Sequence, residues 1–264
     1  MQTQRLNYDQ IASEYNQRYP TSQSWERGQA LLNLARQTKA KTILEVGSGT
    51  GFWLNLLHQV APQLYGMDFS AGMIAQARNQ PAPIKLTRGT ATQLPYQSGT
   101  FDLLYCVDAI HHFGDHRAFI REAMRVLKPG AALAVIGHDP HAGTNRWYFY
   151  DYFESVYDTD LGRYPSGQAV LDWMQADGFQ DITVQDVEHI SNMHVGRGVL
   201  KDPFLKQSAT SQLALLSEQT YLAGIKKIKA ALAEAEMKHE RIVFQSDIYV
   251  KMFLGFKPLI KERP

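Results

Sequence analysis

Glu45-Val46-Gly47-Ser48-Gly49-Thr50-Gly51 stands between a short β-prone run, Thr42-Ile43-Leu44-Glu45-Val46, and an apolar segment over 52–60 that reads as a helix. A strand that ends in closely spaced glycines and opens a helix is the setting of a nucleotide-binding turn. Without a β-carbon, glycine lets the backbone turn tightly and approach a ligand. Gly47, Gly49 and Gly51 therefore read as a cradle. Outward from it, 63–68 looks like a second buried strand, and Asp68 ends that strand 17 residues after Gly51. A carboxylate there can accept hydrogen bonds from both hydroxyls of a ribose. The nicotinamide fingerprint needs its third glycine where this chain has Phe52, and Glu45 would set a negative charge beside a pyrophosphate. No Gly-Lys-Ser/Thr follows, which excludes a P-loop. The pattern points to a phosphate-free nucleoside ligand.

The surrounding chain alternates. Apolar residues at helical spacing predict helices over 7–19 and 25–38, and Ser70 is placed to cap a helix running to Arg78. Strands are predicted at 84–88, 101–107 and 131–137, with a helix at 117–127. Strands alternating with helices argue for a parallel α/β sheet. After Gly137 the pattern breaks into a polar turn and an aromatic stretch from Trp147 to Phe153. A helix over 168–176, a strand over 179–190, a loop over 191–203, helices over 204–240 and a strand over 242–256 complete the chain, the last two strands pairing antiparallel. One catalytic domain over 1–264 is expected. Its cofactor-binding core is 1–138, cap insertions occupy 139–167 and 191–240, and 168–190 and 241–264 close the sheet.

Composition narrows the function classes. A net charge of +1 gives no electrostatic footprint for nucleic acid. Cys106 is the single cysteine, so an intrachain disulfide, a zinc ribbon and a Cys-x-x-Cys redox pair are excluded. No run of about 18 apolar residues is present, and the N-terminal stretch lacks an apolar signal core. A cytoplasmic protein without membrane or nucleic-acid partners is expected.

Several spaced motifs carry a resemblance: Tyr8-Asp9-Gln10-Ile11-Ala12-Ser13-Glu14-Tyr15-Asn16, the glycine loop, Asp68-Phe69-Ser70-Ala71-Gly72-Met73, Gly89-Thr90-Ala91-Thr92-Gln93-Leu94-Pro95-Tyr96, Ala109-Ile110-His111-His112-Phe113 and Arg125-Val126-Leu127-Lys128-Pro129-Gly130. On these the chain resembles the class I S-adenosylmethionine-dependent methyltransferases, in the small-molecule group akin to the ubiquinone and menaquinone-biosynthesis enzymes. The resemblance covers the first half. It implies a Rossmann-like doubly wound sheet of about seven strands with an antiparallel last strand, a helical cap, and S-adenosyl-L-methionine as cofactor. By position, Glu45, Gly47, Gly49 and Gly51 would hold the methionine portion and Asp68 the ribose. Phe69 and Met73 would flank the adenine, with Thr90 and Ala91 at its edge. Cys106 would face the cofactor through its backbone, and Tyr15 would close over it. Relatives commonly carry aspartate where this chain has Thr90, so the threonine hydroxyl or a backbone carbonyl must substitute.

A sulfonium methyl is already activated, so aligning an acceptor and excluding water accomplishes much of the reaction. An acceptor of high pKa also needs a base, for which His111 and His138 are the candidates, with His112, Asp139 and His141 nearby. Trp147, Tyr148, Phe149, Tyr150, Tyr152, Phe153 and Tyr157 either line an acceptor pocket or pack the cap. Asp108, Asp139 and Asn145 lack the spacing of a magnesium site, so no metal is expected. The acceptor is a small apolar or aromatic molecule with an oxygen, nitrogen or carbon nucleophile. The alternative is a protein that binds S-adenosylmethionine without turnover, and an oxidoreductase ranks third.

Overall fold

The computed structural model describes residues 7–9, 11, 12, 15 and 25–259. Most of the helix expected over 7–19 lies outside them; Tyr8, Asp9, Ile11 and Ala12 stand in turns. From there the alternation holds: α1 (Glu26–Gln37), β1 (Thr42–Val46), α2 (Phe52–Leu57), β2 (Gln63–Asp68), α3 (Ala71–Ala77), β3 (Ile84–Arg88), β4 (Phe101–Val107), α4 (His116–Val126) and β5 (Leu127–His138). The helix expected to reach Val60 stops at Leu57, where the Val60 and Ala61 N–H groups both turn back onto the Leu57 carbonyl. Pro62 explains the stop, because a residue before proline avoids the helical region.

β1 to β5 are parallel in the order β3-β2-β1-β4-β5. Their side chains alternate between two cores, as the two-residue period of a strand requires. Leu44, Val46, Leu104, Cys106, Leu133 and Val135 enter one, and Ile43, Leu103, Tyr105, Ala134 and Ile136 the other. Burial on both faces explains why β1, β4 and β5 read as apolar runs, whereas β3, at the sheet edge, has no buried residue.

The second half holds β6 (Arg146–Trp147), α5 (Tyr148–Tyr152), α6 (Val156–Arg163), α7 (Gly167–Ala176), β7 (Gln180–Val195), α8 (Ser211–Ala214), α9 (Glu218–Met237) and β8 (Val243–Phe256). β8 runs antiparallel to β5, β6 and β7, so the sheet has eight strands, one of them the two-residue β6. The loop expected over 191–203 is corrected. β7 continues to Val195, and 3-10 turns over Gly196–Lys201 and Pro203–Leu205 follow. Only Val250 to Phe256 of β8 pair with β5; the preceding residues pair with β7 beyond the carboxyl end of β5. This ribbon carries the cap, whose own apolar cluster includes Tyr148, Phe149, Phe153, Ile228, Leu232 and Phe244. Lys226, Lys227 and Lys229 lie on the exposed face of α9. Among the described residues no helix is long and apolar enough to cross a membrane.

Candidate functional site

The glycine loop is tied to the end of β2. Gly47 and Ser48 N–H groups both donate to the Met67 carbonyl, at 2.8 and 3.0 Å. Gly47 has φ +74°, and a β-carbon there would come within 2.5 Å of the Ala109 Cβ, so both backbone and space require glycine. Gly49 N–H donates to Asp68 Oδ2 at 2.8 Å and Ser70 N–H to Oδ1 at 2.9 Å. Burial raises the Asp68 pKa, with these N–H groups pulling the other way. Each oxygen keeps a further lone pair. Ser70 caps α3 by accepting from Met73 N–H, as expected, and its hydroxyl donates to Asp9, whose carboxyl it holds below the usual range.

A cavity of about 700 Å³ opens along the carboxyl ends of β1, β2 and β4. Tyr15, Gly47, Gly49, Asp68, Phe69, Met73, Thr90 and Ala91 line it, and the Phe69 ring is 60% exposed. The lining includes Asp9, Asp68, Asp108 and Asp115 but no lysine or arginine among the described residues.

Three residues expected to touch a cofactor stand outside this lining. Glu45 is 1% exposed behind the loop and accepts from the Tyr105 hydroxyl at 3.1 Å; burial pushes its carboxyl well above the usual range. Gly51 serves as the left-handed N-cap of α2. Cys106 is fully buried in the core, which pushes its thiol up, and Val107 and Asp108 reach the cavity instead.

A second cavity of about 170 Å³ adjoins the first, and Tyr8, Tyr15 and Asp108 line both. His111 and His138 face the second cavity, whereas His112 faces the first, where it shares a 2.6 Å hydrogen bond with the Tyr8 hydroxyl. The two adjacent histidines sit in a 3-10 turn, Ile110–His112, with their rings in contact at 3.9 Å, yet each borders a different cavity. The His111 ring stacks on Tyr164 at 3.9 Å. Burial lowers the pKa of both His111 and His138, keeping each imidazole neutral near neutral pH, and His111 Nδ1 and His138 Nε2 are buried without hydrogen-bond partners.

Of the aromatic stretch only Trp147 lines this cavity; Tyr148, Phe149 and Phe153 are buried in the cap cluster. Asp139 and His141 stay outside both linings: Asp139 accepts from His141 and Gly167 N–H groups, and His141 Nε2 meets the Tyr164 carbonyl. Asn145 accepts from Tyr249 N–H. No group of three or more potential metal ligands occurs among the described residues.

Sequence reasoning missed Arg27, Glu188, Tyr164 and Asp202. Arg27 on α1 is 5% exposed, binds Glu188 through Nε at 2.6 Å and Asp108 through Nη1 at 2.5 Å, and faces the second cavity. A charged residue on the inward face of a predicted helix was the available signal. Asp108 has φ +47°, a region that non-glycine residues seldom occupy outside functional or tightly constrained sites.

Comparison with known proteins agrees with this geometry. Residues 44–135 match the family described as a methyltransferase domain. Demethylmenaquinone methyltransferase of Deinococcus radiodurans is 32% identical over 152 residues, covering 55% of this chain and 62% of that protein. Norajmaline N-methyltransferase of Rauvolfia serpentina is 34% identical over 107 residues, covering 38% of this chain and 37% of that protein. The chain thus spans less than two thirds of these relatives' length. In fold it is similar to phosphoethanolamine N-methyltransferase 2 of Haemonchus contortus, solved with S-adenosylhomocysteine, with TM-score 0.59, 19% identity and coverage of 95% and 58% of the two chains. It is likewise similar to the [4+2]-cyclase SpnF, with TM-score 0.57, 21% identity and coverage of 96% and 94%. A cyclase among the neighbours shows that this architecture alone does not fix a reaction. Sequence motifs, sheet order and family match converge: residues 44–135 match the methyltransferase-domain family and are similar to the class I S-adenosylmethionine-dependent methyltransferases of the group that includes the menaquinone-biosynthesis enzymes.

Proposed function

We propose that this chain transfers the methyl group of S-adenosylmethionine to a small organic acceptor seated in the second cavity. The shared boundary carries the reading: Tyr8, Tyr15 and Asp108 line both cavities, so a donor in one faces an acceptor in the other. The larger cavity fits the cofactor on three counts. Asp68 keeps lone pairs for ribose hydroxyls, the exposed Phe69 ring offers a face for adenine, and a lining with carboxylates and, among the described residues, no lysine or arginine suits a cationic ligand and repels a diphosphate.

When bound, S-adenosylmethionine supplies an electrophilic methyl on a sulfonium. The protein's own residues hold and align. Gly47 and Gly49 border the methionine portion, Asp68 binds the ribose, Phe69 and Met73 enclose the adenine, and Thr90 and Ala91 meet its edge. Glu45 acts from behind the loop through its field, Gly51 fixes the loop, and Cys106 packs the strand beneath. Tyr15, with the Tyr8–His112 pair, excludes water from the boundary. His111 and His138, neutral and facing the acceptor cavity, are the groups placed to take a proton. The acceptor is a small apolar or aromatic metabolite, and the reading of a reducing, cytosolic setting rests on the lone buried Cys106.

A cofactor-binding protein without turnover would have no use for the adjoining cavity. Calorimetry with S-adenosylmethionine, S-adenosylhomocysteine and NADH tests the assignment: both sulfur nucleosides should bind and NADH should not. Labelled methyl transfer to a panel of phenols, quinols, amines and carboxylic acids then tests turnover. NADH binding without the sulfur nucleosides would overturn the proposal.

A further inference from the structure

We infer that the acceptor is a small amine recognised through its positive charge, and that the second cavity rejects acceptors bearing phosphate or carboxylate. The inference deepens the methyl-transfer reading above and rests on it.

The charge lining the cavity decides the matter. Its lining holds two carboxylates, Asp108 and Asp202, and among the described residues one lysine or arginine, Arg27. That guanidinium is committed: Nε and Nη2 donate to the two Glu188 oxygens at 2.6 and 3.2 Å, and Nη1 donates to Asp108. Glu188 matches its charge, so the Asp108 carboxylate stands in excess. Across the cavity Asp202 accepts from the Tyr148 hydroxyl at 2.7 Å and from Phe204 N–H at 2.9 Å, with His194 Nε2 at 3.2 Å. Behind the wall Arg163 is bound to the fully buried Asp160 at 2.7 Å and offers no free cation. An anionic acceptor would meet this surplus of negative charge with no free lysine or arginine among the described lining residues to pair it. An ammonium would meet carboxylates and the aromatic rings of Trp25 and Trp147, and aromatic faces attract cations.

Two further observations point to an N–H donor of small size. His111 Nδ1 and His138 Nε2 are buried ring nitrogens without hydrogen-bond partners beside this cavity, each an acceptor in one tautomer of the neutral ring, and His111 is only 7% exposed. Such groups are costly to leave unsatisfied, and N–H groups of a bound ammonium would satisfy them. At about 170 Å³ the space is below the roughly 300 to 1,000 Å³ of drug-sized sites, which limits the acceptor to about one ring or a short chain.

The chemistry balances. An N–H proton of the bound ammonium passes to one of the unpartnered imidazole nitrogens. The freed lone pair forms the nitrogen–carbon bond to the methyl as the carbon–sulfur bond breaks, its electron pair remaining on sulfur. The positive charge moves from sulfur to nitrogen, and the product leaves as an N-methylammonium near the same carboxylates.

The test is calorimetric titration of matched probes into the protein saturated with S-adenosylhomocysteine: benzylamine and 2-phenylethylamine, benzyl alcohol and 2-phenylethanol, benzoate and 3-phenylpropionate. The amines should bind at least tenfold tighter than the alcohols, with the carboxylates silent, and Asp202→Asn should narrow that preference while S-adenosylhomocysteine affinity stays unchanged. Alcohols binding as tightly as amines, carboxylate binding, or an unaltered preference in Asp202→Asn would overturn the inference and leave methyl transfer standing. The wild-type comparison decides without the variant if Asp202→Asn does not fold. Failure of S-adenosylhomocysteine to bind would overturn the methyl-transfer reading and this inference with it.

Discussion

Arg27 and Glu188, 161 residues apart in sequence, form a buried two-point ion pair between α1 and β7, each side chain 6% exposed. The pair fixes the first described helix to the edge strand of the sheet, and its remaining donor holds Asp108 at the boundary between the cavities. One contact therefore joins tertiary anchoring to the geometry of the site.

Breaking that pair from one side should cost more than removing it. Arg27→Met leaves Glu188 buried and uncompensated, and a loss of about 3 to 5 kcal/mol is expected. Arg27→Met/Glu188→Leu should recover most of it, because the orphaned charge is gone. Urea denaturation of both variants measures the difference; equal losses would mean that Glu188 finds water or another partner.

Asp68→Ala should weaken S-adenosylhomocysteine by about 1.5 to 3 kcal/mol, the range for hydrogen bonds to a charged group. Calorimetry reads this directly. Unchanged affinity would place the ribose elsewhere in the cavity.

Much of the fold was legible because its determinants are local. The central strands β1, β4 and β5 carry apolar runs, Ser70 announces its own cap, and the glycines after Val46 mark a turn that nothing else tolerates as well. The extension of β7 was not legible. Ser191-Asn192-Met193-His194 has weak strand propensity of its own and is held extended by pairing with Phe244 to Asp247, 50 or more residues away. The site divides in the same way. The proposed cofactor cradle follows from spacing within a few residues, whereas the second cavity is assembled from α1, the turn after β4, β5, the cap, β7 and β8. No local pattern shows that Arg27, Asp108 and Asp202 line one cavity. Glu45 illustrates a subtler limit, since its position in the motif was readable but its burial behind the loop depends on Tyr105 from a neighbouring strand.

Glu45→Gln should stabilise the protein without ligand at neutral pH. Burial raises the folded pKa of Glu45 well above the ordinary value, so the favourable contribution belongs to the protonated form and is lost as pH rises from about 4.5 through the folded pKa. Glutamine keeps an oxygen for the Tyr105 hydroxyl and removes the charge. An increase of about 2 to 4 °C in Tm, corresponding to about 1 kcal/mol, is expected by thermal unfolding at pH 7.5. A lower Tm would show that the ionised carboxylate is favourably paired.

His111 predicts the opposite pH dependence. Its folded pKa lies well below the ordinary value near 6.5, first because burial disfavours the imidazolium and then because His112 and Arg163 add positive charge nearby. Between the folded pKa and about 6.5 the unfolded chain binds the extra proton, so stability falls as the solution is acidified through that window and is unaffected by this group above it. The slope from one such histidine reaches about 1.4 kcal/mol per pH unit, and His138, shifted the same way, adds to it. Urea unfolding between pH 5 and pH 7.5 should show a larger fall in stability on acidification in the wild type than in His111→Asn, the opposing contribution of Glu45 being common to both. Identical slopes would mean that the imidazole reaches solvent and that the wall of the acceptor cavity is open rather than buried.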